Sequence, residues 1–423
     1  MPTPSLLIVP ARFKTGKLYS QIPTSGAGDF TVTRNTEARR VGPDGLIASV
    51  ASGIPRLDYY TSGGTAGCPA LLVEPAATNG ILNSTDTTTS WTLGANLTSG
   101  AIDVIGVSGN NLTVAVSGSG IGSAAGRFVR FNNNVALASG STYTVSFLMK
   151  KTGAHTIGGY QLTMSSGVVG SGFDVSGSFA SGSNVDTAPT TNRIRRIERF
   201  GTDVFRCSET FTMTAAATGT HLAFGPVSAV SVSTNSAVGT TMGFAAPQLE
   251  LGSVPTSFIP TTAGTGSRSA DVVSVSGAVS GSIGQTEGTM YCEFEATNDA
   301  ATRRLLTLSD GSQVNRLMLV YSSSAWRAQM QGTTISLGNF TSGYHKIAFA
   351  YQQNGVSGNL FASIDGGAVV SGTSATFPAS LNMVNLGKIE DTGSSSFLNG
   401  RIRAAALYTT RLTNAELQSL TTL

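Results

Sequence analysis

Charge is what this sequence has least of. Lys and Arg total 26 and Asp and Glu 23 in 423 residues, a charged share of 12%, where an ordinary soluble domain has roughly 25%. The net charge is only +3, and the single dense basic run is Arg193 to Arg199. That excludes a protein that holds nucleic acid by neutralising phosphates, which needs Lys and Arg gathered over a surface. Cysteine is nearly absent, and Cys68, Cys207 and Cys292 stand far apart with no C-x-x-C. Neither a disulfide framework nor a zinc site is expected, and the three read as small buried hydrophobes in a chain folded in a reducing cytoplasm. The apolar run Leu6 to Val9 ends at Pro10, too short for a signal-peptide core or a membrane span. Helical periodicity is missing from every window before the last dozen residues.

Catalytic constellations are thin. His155, His221 and His345 are the only histidines, and none lies within metal-ligand spacing of another. There is no G-x-S-x-G elbow and no Walker-type G-x-x-x-x-G-K. The Gly120 to Ala125 stretch loosely matches a dinucleotide fingerprint, but an alternating run from Arg127 follows it instead of a helix. No catalytic, cofactor-binding or metal residue is assigned, and no cofactor is expected. Asp310 and Asp391 are loop acids without EF-hand spacing and read as turn aspartates.

Against these absences stand 51 glycines and a hydrophobic share of 40%, enough for real cores and too much for disorder. Strand signals recur throughout. Residues 143, 145, 147 and 149 form one apolar face of Tyr143 to Lys150, and the even positions do so in Met290 to Glu295. Glu293 and Glu295 then share the outward face, the carboxylate pair that a glycan-cleaving reading would use and a solvated face would equally explain. Turn clusters such as Asp310-Gly311 and Asp365-Gly366-Gly367 supply the positive-φ residues of tight hairpins. The sequence therefore predicts an all-β chain with antiparallel sandwiches. Thr413 with Glu416 makes a capping box, and Leu412 can staple onto Leu417, so a short C-terminal helix is expected. Prolines crowd residues 1–75, and a second break falls at 251–267, where Pro255 and Pro260 interrupt pairing. With so few charges, the outward faces are expected to lie against neighbouring subunits.

A resemblance appears at several of these residues. Met290 to Ala296, Gly343 to Tyr351, Ser363 to Gly366, Phe397 to Arg403, Ala406 to Tyr408 and Leu412 to Leu417 resemble a concanavalin-A-like or laminin-G-like jelly roll over 268–423. Upstream, Thr33-Arg34, Gly45-Leu46, Ile54 to Tyr59, Leu71 to Pro75 and Asn79 resemble the leading segment of tailed-bacteriophage virion appendage proteins of the tail-fibre, collar or head-fibre type. Pro247 to Gly252, Thr256 to Thr261 and Arg268 to Asp271 are similar to the joint in the same proteins. Residues 76–250 between them look like a carbohydrate-binding-module jelly roll. Ile47-Ala48 and Ala76 to Asn79 depart from the pattern.

The resemblance implies two jelly rolls after an extended N-terminal arm: 1–75 the arm, 76–250 the first jelly roll, 251–267 the linker and 268–423 the second. It implies a non-enzymatic structural protein of the virion, made in the host cytoplasm and assembled as a homo-oligomer, a trimer. The arm contacts other virion proteins, and the sandwiches offer loops to host cell-surface polysaccharide. A capsid-decorating or collar subunit without a receptor role, and a glycan depolymerase, remain the alternatives. Jelly rolls hold sugars by stacking them on exposed aromatics, so Trp91, Tyr321 and Tyr344 are the candidate glycan contacts. Trp326 alternates with Ala328 and Met330 and reads as core. Arg193, Arg195 and Arg199 fall on one side of a strand and form the candidate subunit-docking patch.

Overall fold

The computed structural model describes residues 1–60, 67–85, 91–93, 97–102, 104, 112–116, 129–176, 181–228, 239–296, 301–339, 341–388 and 397–423. Asp391 and the Gly120 to Arg127 stretch lie outside them. Among the described residues the chain is all-β, with one short α-helix at Asn414–Thr421 and a 3₁₀ turn at Ala278–Ser282.

Alternation decides which faces are buried. In the strand Thr142–Lys151, Tyr143, Val145, Phe147 and Met149 point into one core with Phe173, Phe224 and Phe244. That core lies between two six-stranded sheets. One runs Trp91–Thr92, Val129–Leu137, Ala217–Pro226, Ile157–Met164, Gly167–Asp174, Ser181–Asp186; the other runs Leu97–Ala101, Leu112–Val116, Thr241–Leu251, Thr142–Lys151, Val204–Met213, Thr190–Arg199. Phe147 is the hub, with ring centroids of Tyr160, Phe173, Phe224 and Phe244 at 4.7–6.1 Å.

A larger sandwich holds the rest. In Glu287–Ala296 the even residues Met290, Cys292 and Phe294 are fully buried, facing Trp326 and Leu319 of the opposite sheet. Trp326 sits in this core, edge-on to Phe294 at 4.6 Å. The odd residues Tyr291, Glu293 and Glu295 face outward. Turn chemistry follows the sequence: Asp365 and Gly366 take φ of 50° and 72°, as a turn between right-twisted strands demands.

The described residues of 1–75 run through short strands, and they are not a free arm. Leu6–Ile8 pairs with Ala405 to Leu407 of Gly400–Tyr408, and Ala70–Val73 pairs with the other end of that strand. Phe30–Thr33 pairs with Val272–Ser276 in the facing sheet. The physical reason is apolar: Leu6, Ile8, Phe30, Val32, Leu71 and Val73 are core residues of the large sandwich, and solvent would be the alternative. Ala77–Asn79 and Gly266–Arg268, which lead into and out of the small sandwich, pair with each other. The small sandwich is thus an insertion within the large one, not one link in a linear series.

The helix obeys its signals. Thr413 Oγ1 accepts from Glu416 N at 3.3 Å, Glu416 Oε2 accepts from Thr413 N at 2.8 Å, and Leu412 and Leu417 are buried together. It covers Tyr291, Ala348, Ala350 and Ala406 on the outer sheet face. Of the cysteines, Cys207 and Cys292 are buried as read, and burial pushes both thiols well up. Cys68 is exposed, against expectation, because it lies in the irregular approach to Ala70–Val73. Among the described residues no helix is long and apolar enough to cross a membrane.

Candidate functional site

Where the two sandwiches meet, the N-terminal hairpin Ala38–Val41 and Ile47–Val50 lies on the outer face of the small one. Val41 and Tyr60 share an apolar cluster with Leu148, Phe200, Val204, Ala245 and Ala246. This is why Thr142–Lys151 is buried on both faces.

Beside that patch lies a buried ionic network. Arg56 Nη1 donates to Glu74 Oε2 at 2.7 Å, and its Nη2 bonds Asp271 Oδ2. Arg34 Nη1 reaches Asp271 Oδ1 and Arg268 Nη1 reaches Glu74 Oε2, each at 3.1 Å. Ser257 N and Oγ both donate to Glu74 at 2.7 Å. Burial opposes ionisation of Glu74, but Arg268 and Arg56 outweigh it and hold the carboxyl well below its usual range. Burial likewise disfavours the charge on Arg56, and Asp271 and Glu74 overcome it, raising its pKa. Next to them Glu250 accepts from Thr256 N and Oγ1 at 2.8 and 2.7 Å, with burial pushing its pKa up against those bonds.

Outside the network the sandwiches part into a cleft of about 750 Å³. The small sandwich contributes Arg196, Glu198, Arg199, Phe200 and Arg206; the large one contributes Tyr60, Glu295, Ser342, Asn399 and Arg401, with Glu74 at its edge. Tyr60 and Phe200 pack with their rings tilted by 46°, 5.0 Å between centroids. Arg401 caps the Tyr60 ring at 4.2 Å while its Nε donates to Asp58 at 2.5 Å. Arg206 lies 5.6 Å over Phe200 and 3.4 Å from Glu198. Three polar atoms in the wall, Arg199 Nε, Arg206 Nε and Glu295 Oε2, are buried without a hydrogen-bond partner among the described residues, a state that native structures reserve for few groups.

The sequence candidates fare differently. Tyr344 stands beside the cleft, half-buried, its hydroxyl on Glu293 Oε1 and Arg403 at 5.1 Å over its ring. Burial and then Glu293 raise its pKa. Glu293 and Glu295 share the outward face, partnered by these groups and not simply solvated. Tyr321 is a correction. It is 2% exposed and packs 5.6 Å from Trp326, because it alternates with Leu317 and Leu319 on the core face, and no glycan can reach it. The Trp91 side chain lies outside the described residues; its strand pairs with Val129–Leu137.

The basic patch is corrected too. Arg193, Arg195 and Arg199 do share a side, but it is the inner one. Arg193 Nε and Arg195 Nη2 clamp Glu209, which is fully buried and also takes the Tyr160 hydroxyl at 2.8 Å. Arg195 Nε donates to Ser171 Oγ at 2.7 Å. The Arg193 and Arg195 guanidiniums thus answer an internal carboxylate, and of the three Arg199 lines the cleft.

The histidines are scattered: His155 on the Ile157 carbonyl at 2.6 Å, His221 on Thr220 at 3.1 Å, His345 between Asp365 at 2.6 Å and the Thr341 carbonyl at 2.8 Å. No group of three metal-ligating side chains gathers among the described residues.

No family model and no curated protein matches the chain. Among solved structures it is similar to the CBM40 of Ruminococcus gnavus IT-sialidase bound to α2,3-sialyllactose, at 18% identity over 33% of this chain and 84% of that one, TM-score 0.28. It is similar to domains LG4-5 of the mouse laminin α1 chain, at 12% identity over 67% and 88%, TM-score 0.23. It is similar also to Trypanosoma rangeli sialidase in complex with sialic acid, at 10% identity over 97% and 61%, TM-score 0.27. The architecture itself stands on the strands described above.

Proposed function

We propose that this chain is a non-catalytic glycan-binding protein whose ligand occupies the cleft between the two sandwiches. The observation that carries this is the lining, where guanidinium donors, carboxylate acceptors and the amide of Asn399 face one polar space large enough for a few sugar rings. Saccharides offer both hydroxyl donors and acceptors, and a wall of mixed sign satisfies both. A glycan array of neutral and charged oligosaccharides tests it. The expected result is selective binding that Asn399→Ala weakens about tenfold, the loss of one or two hydrogen bonds to a buried ligand. An array with no binder overturns it.

We further propose that the protein is an oligomeric appendage, a trimer, of a tailed-phage particle. The sequence resemblance at Ile54 to Tyr59, Leu71 to Pro75 and Arg268 to Asp271 supports this placement. Since the strands Leu6–Ile8, Phe30–Thr33 and Ala70–Val73 are paired within the large sandwich, attachment would use the face of the hairpin 38–50 and neighbouring loops in place of a free arm. Immunogold labelling of intact particles, together with solution mass, checks it; a protein absent from particles, or a stable monomer at micromolar concentration, counts against it.

A further inference from the structure

Aromatic platforms open to a pyranose ring are not what the cleft presents. Tyr60 and Phe200 are each 8% exposed, and their rings carry Arg401 and Arg206 as covers. What faces the space is therefore the edges of guanidiniums. Four arginines, 196, 199, 206 and 401, stand against two carboxylates outside the buried network, Glu198 and Glu295. Nε of Arg199 and of Arg206 are buried in the wall without a hydrogen bond, the latter 3.4 Å from Glu198 Oε2, so a ligand would meet the Nη ends of the two side chains. A guanidinium presents its donors in a planar fork that matches a carboxylate, and a buried cationic donor left unsatisfied is costly.

We infer that the cleft takes a carboxylated saccharide, its carboxylate on Arg199 and Arg206 and its hydroxyls on Glu198 and Glu295. This rests on the glycan-binding reading and narrows it. The two acids decide against a ligand bearing charge on every unit, such as a nucleic acid backbone, because closely spaced anions would meet Glu198 and Glu295 as well. They accept instead from sugar hydroxyls, and Glu295, whose Oε2 is buried with Arg403 Nη2 at 4.0 Å, lines the space. The cleft is preformed. Glu74 at its edge belongs to the ionic network that ties the walls together, so binding needs no closure and forfeits little ordering entropy.

The test uses the full chain in calorimetric titration against hyaluronate and polygalacturonate fragments, each beside its carboxyl-reduced counterpart, with dextran sulfate as a second anion. The expected result is binding to at least one intact uronate, at least tenfold weaker when it is reduced and weaker with added salt. Arg206→Gln and Arg199→Gln should each lower affinity about tenfold, while Lys14→Gln on the exposed N-terminal strand changes nothing. Circular dichroism melts of both variants establish that they fold. Equal binding of intact and reduced fragments, or binding only of neutral glycans on the array, overturns the carboxylate assignment and leaves glycan binding standing. Preference for dextran sulfate overturns it in favour of sulfate. Binding to no saccharide overturns both readings.

Discussion

Asp271 is the residue on which two sandwiches depend. It receives Arg34, Arg56 and the backbone N–H of Glu74, so Asp271→Ala strands two buried guanidiniums. Removing one partner of a buried pair costs about 3–5 kcal/mol, and urea unfolding should show a loss of that size, against near-neutral changes at exposed acids such as Asp310. Acid titration separates the neighbours. Glu74 has a depressed pKa, so its contribution is complete above its ordinary 4.5 and is lost as pH falls below that. Glu250 has a raised pKa and contributes with the opposite sign, favouring the fold as it protonates. Stability measured between pH 7 and 3 should therefore fall on the acid side. That limb flattens in Glu74→Gln and steepens in Glu250→Gln. Parallel limbs in all three proteins would contradict the assignment. At this scale the sequence spoke through resemblance alone: Arg34, Arg56, Glu74, Arg268 and Asp271 stood out there, but no spacing rule could announce that they meet, since the pairing spans up to 237 positions.

Among the elements, local pattern was most legible where one face meets a core. Tyr143, Val145, Phe147 and Met149 were readable by period two, as were Met290, Cys292 and Phe294, and the capping box at Thr413 was readable outright. Thr413→Ala should destabilise the helix by about 1 kcal/mol, seen as a lower melting temperature. Truncation after Thr410 should uncover Tyr291, Ala348, Ala350 and Ala406 and show as dye binding to exposed apolar surface. Patterning failed where an outer face is covered as well. The run Arg193 to Arg199 looked like a solvent stripe because alternation tells two faces apart but not which one is inward. Glu209, the carboxylate that draws the guanidiniums in, lies on the neighbouring strand. Tyr321 failed for the same reason, since one side of its strand holds Leu317 and Leu319 and the other Met318 and Val320, all buried.

For the whole molecule, nesting is what the sequence withheld. Proline density marked residues 1–75 as distinct, yet strands of two to four residues are too short to carry a period, and Leu6–Ile8, Phe30–Thr33 and Ala70–Val73 each have a partner hundreds of positions away. The scarcity of charge also finds part of its reason within one chain. Alanines of the outer sheet lie under the helix, and Leu148, Ala245 and Ala246 lie under the hairpin 38–50. Because residues 77–79 and 266–268 are ladder partners, replacing residues 80–265 by a short turn should leave the large sandwich folded. Deleting residues 1–60 should not, since it removes strands from both of its sheets. Proton-detected NMR of the two deletions reads the difference directly, and a folded 61–423 would refute the nested description.

That same pairing sets a load path. Tension travelling along the chain between the strands before Asn79 and those after Gly266 crosses directly at their ladder, where neighbouring strands stand about 4.8 Å apart, and bypasses the inserted sandwich. A pull on the large sandwich therefore leaves the small one slack until those few hydrogen bonds rupture, and the wall bearing Arg199 and Arg206 keeps its shape while the body that carries it is under strain.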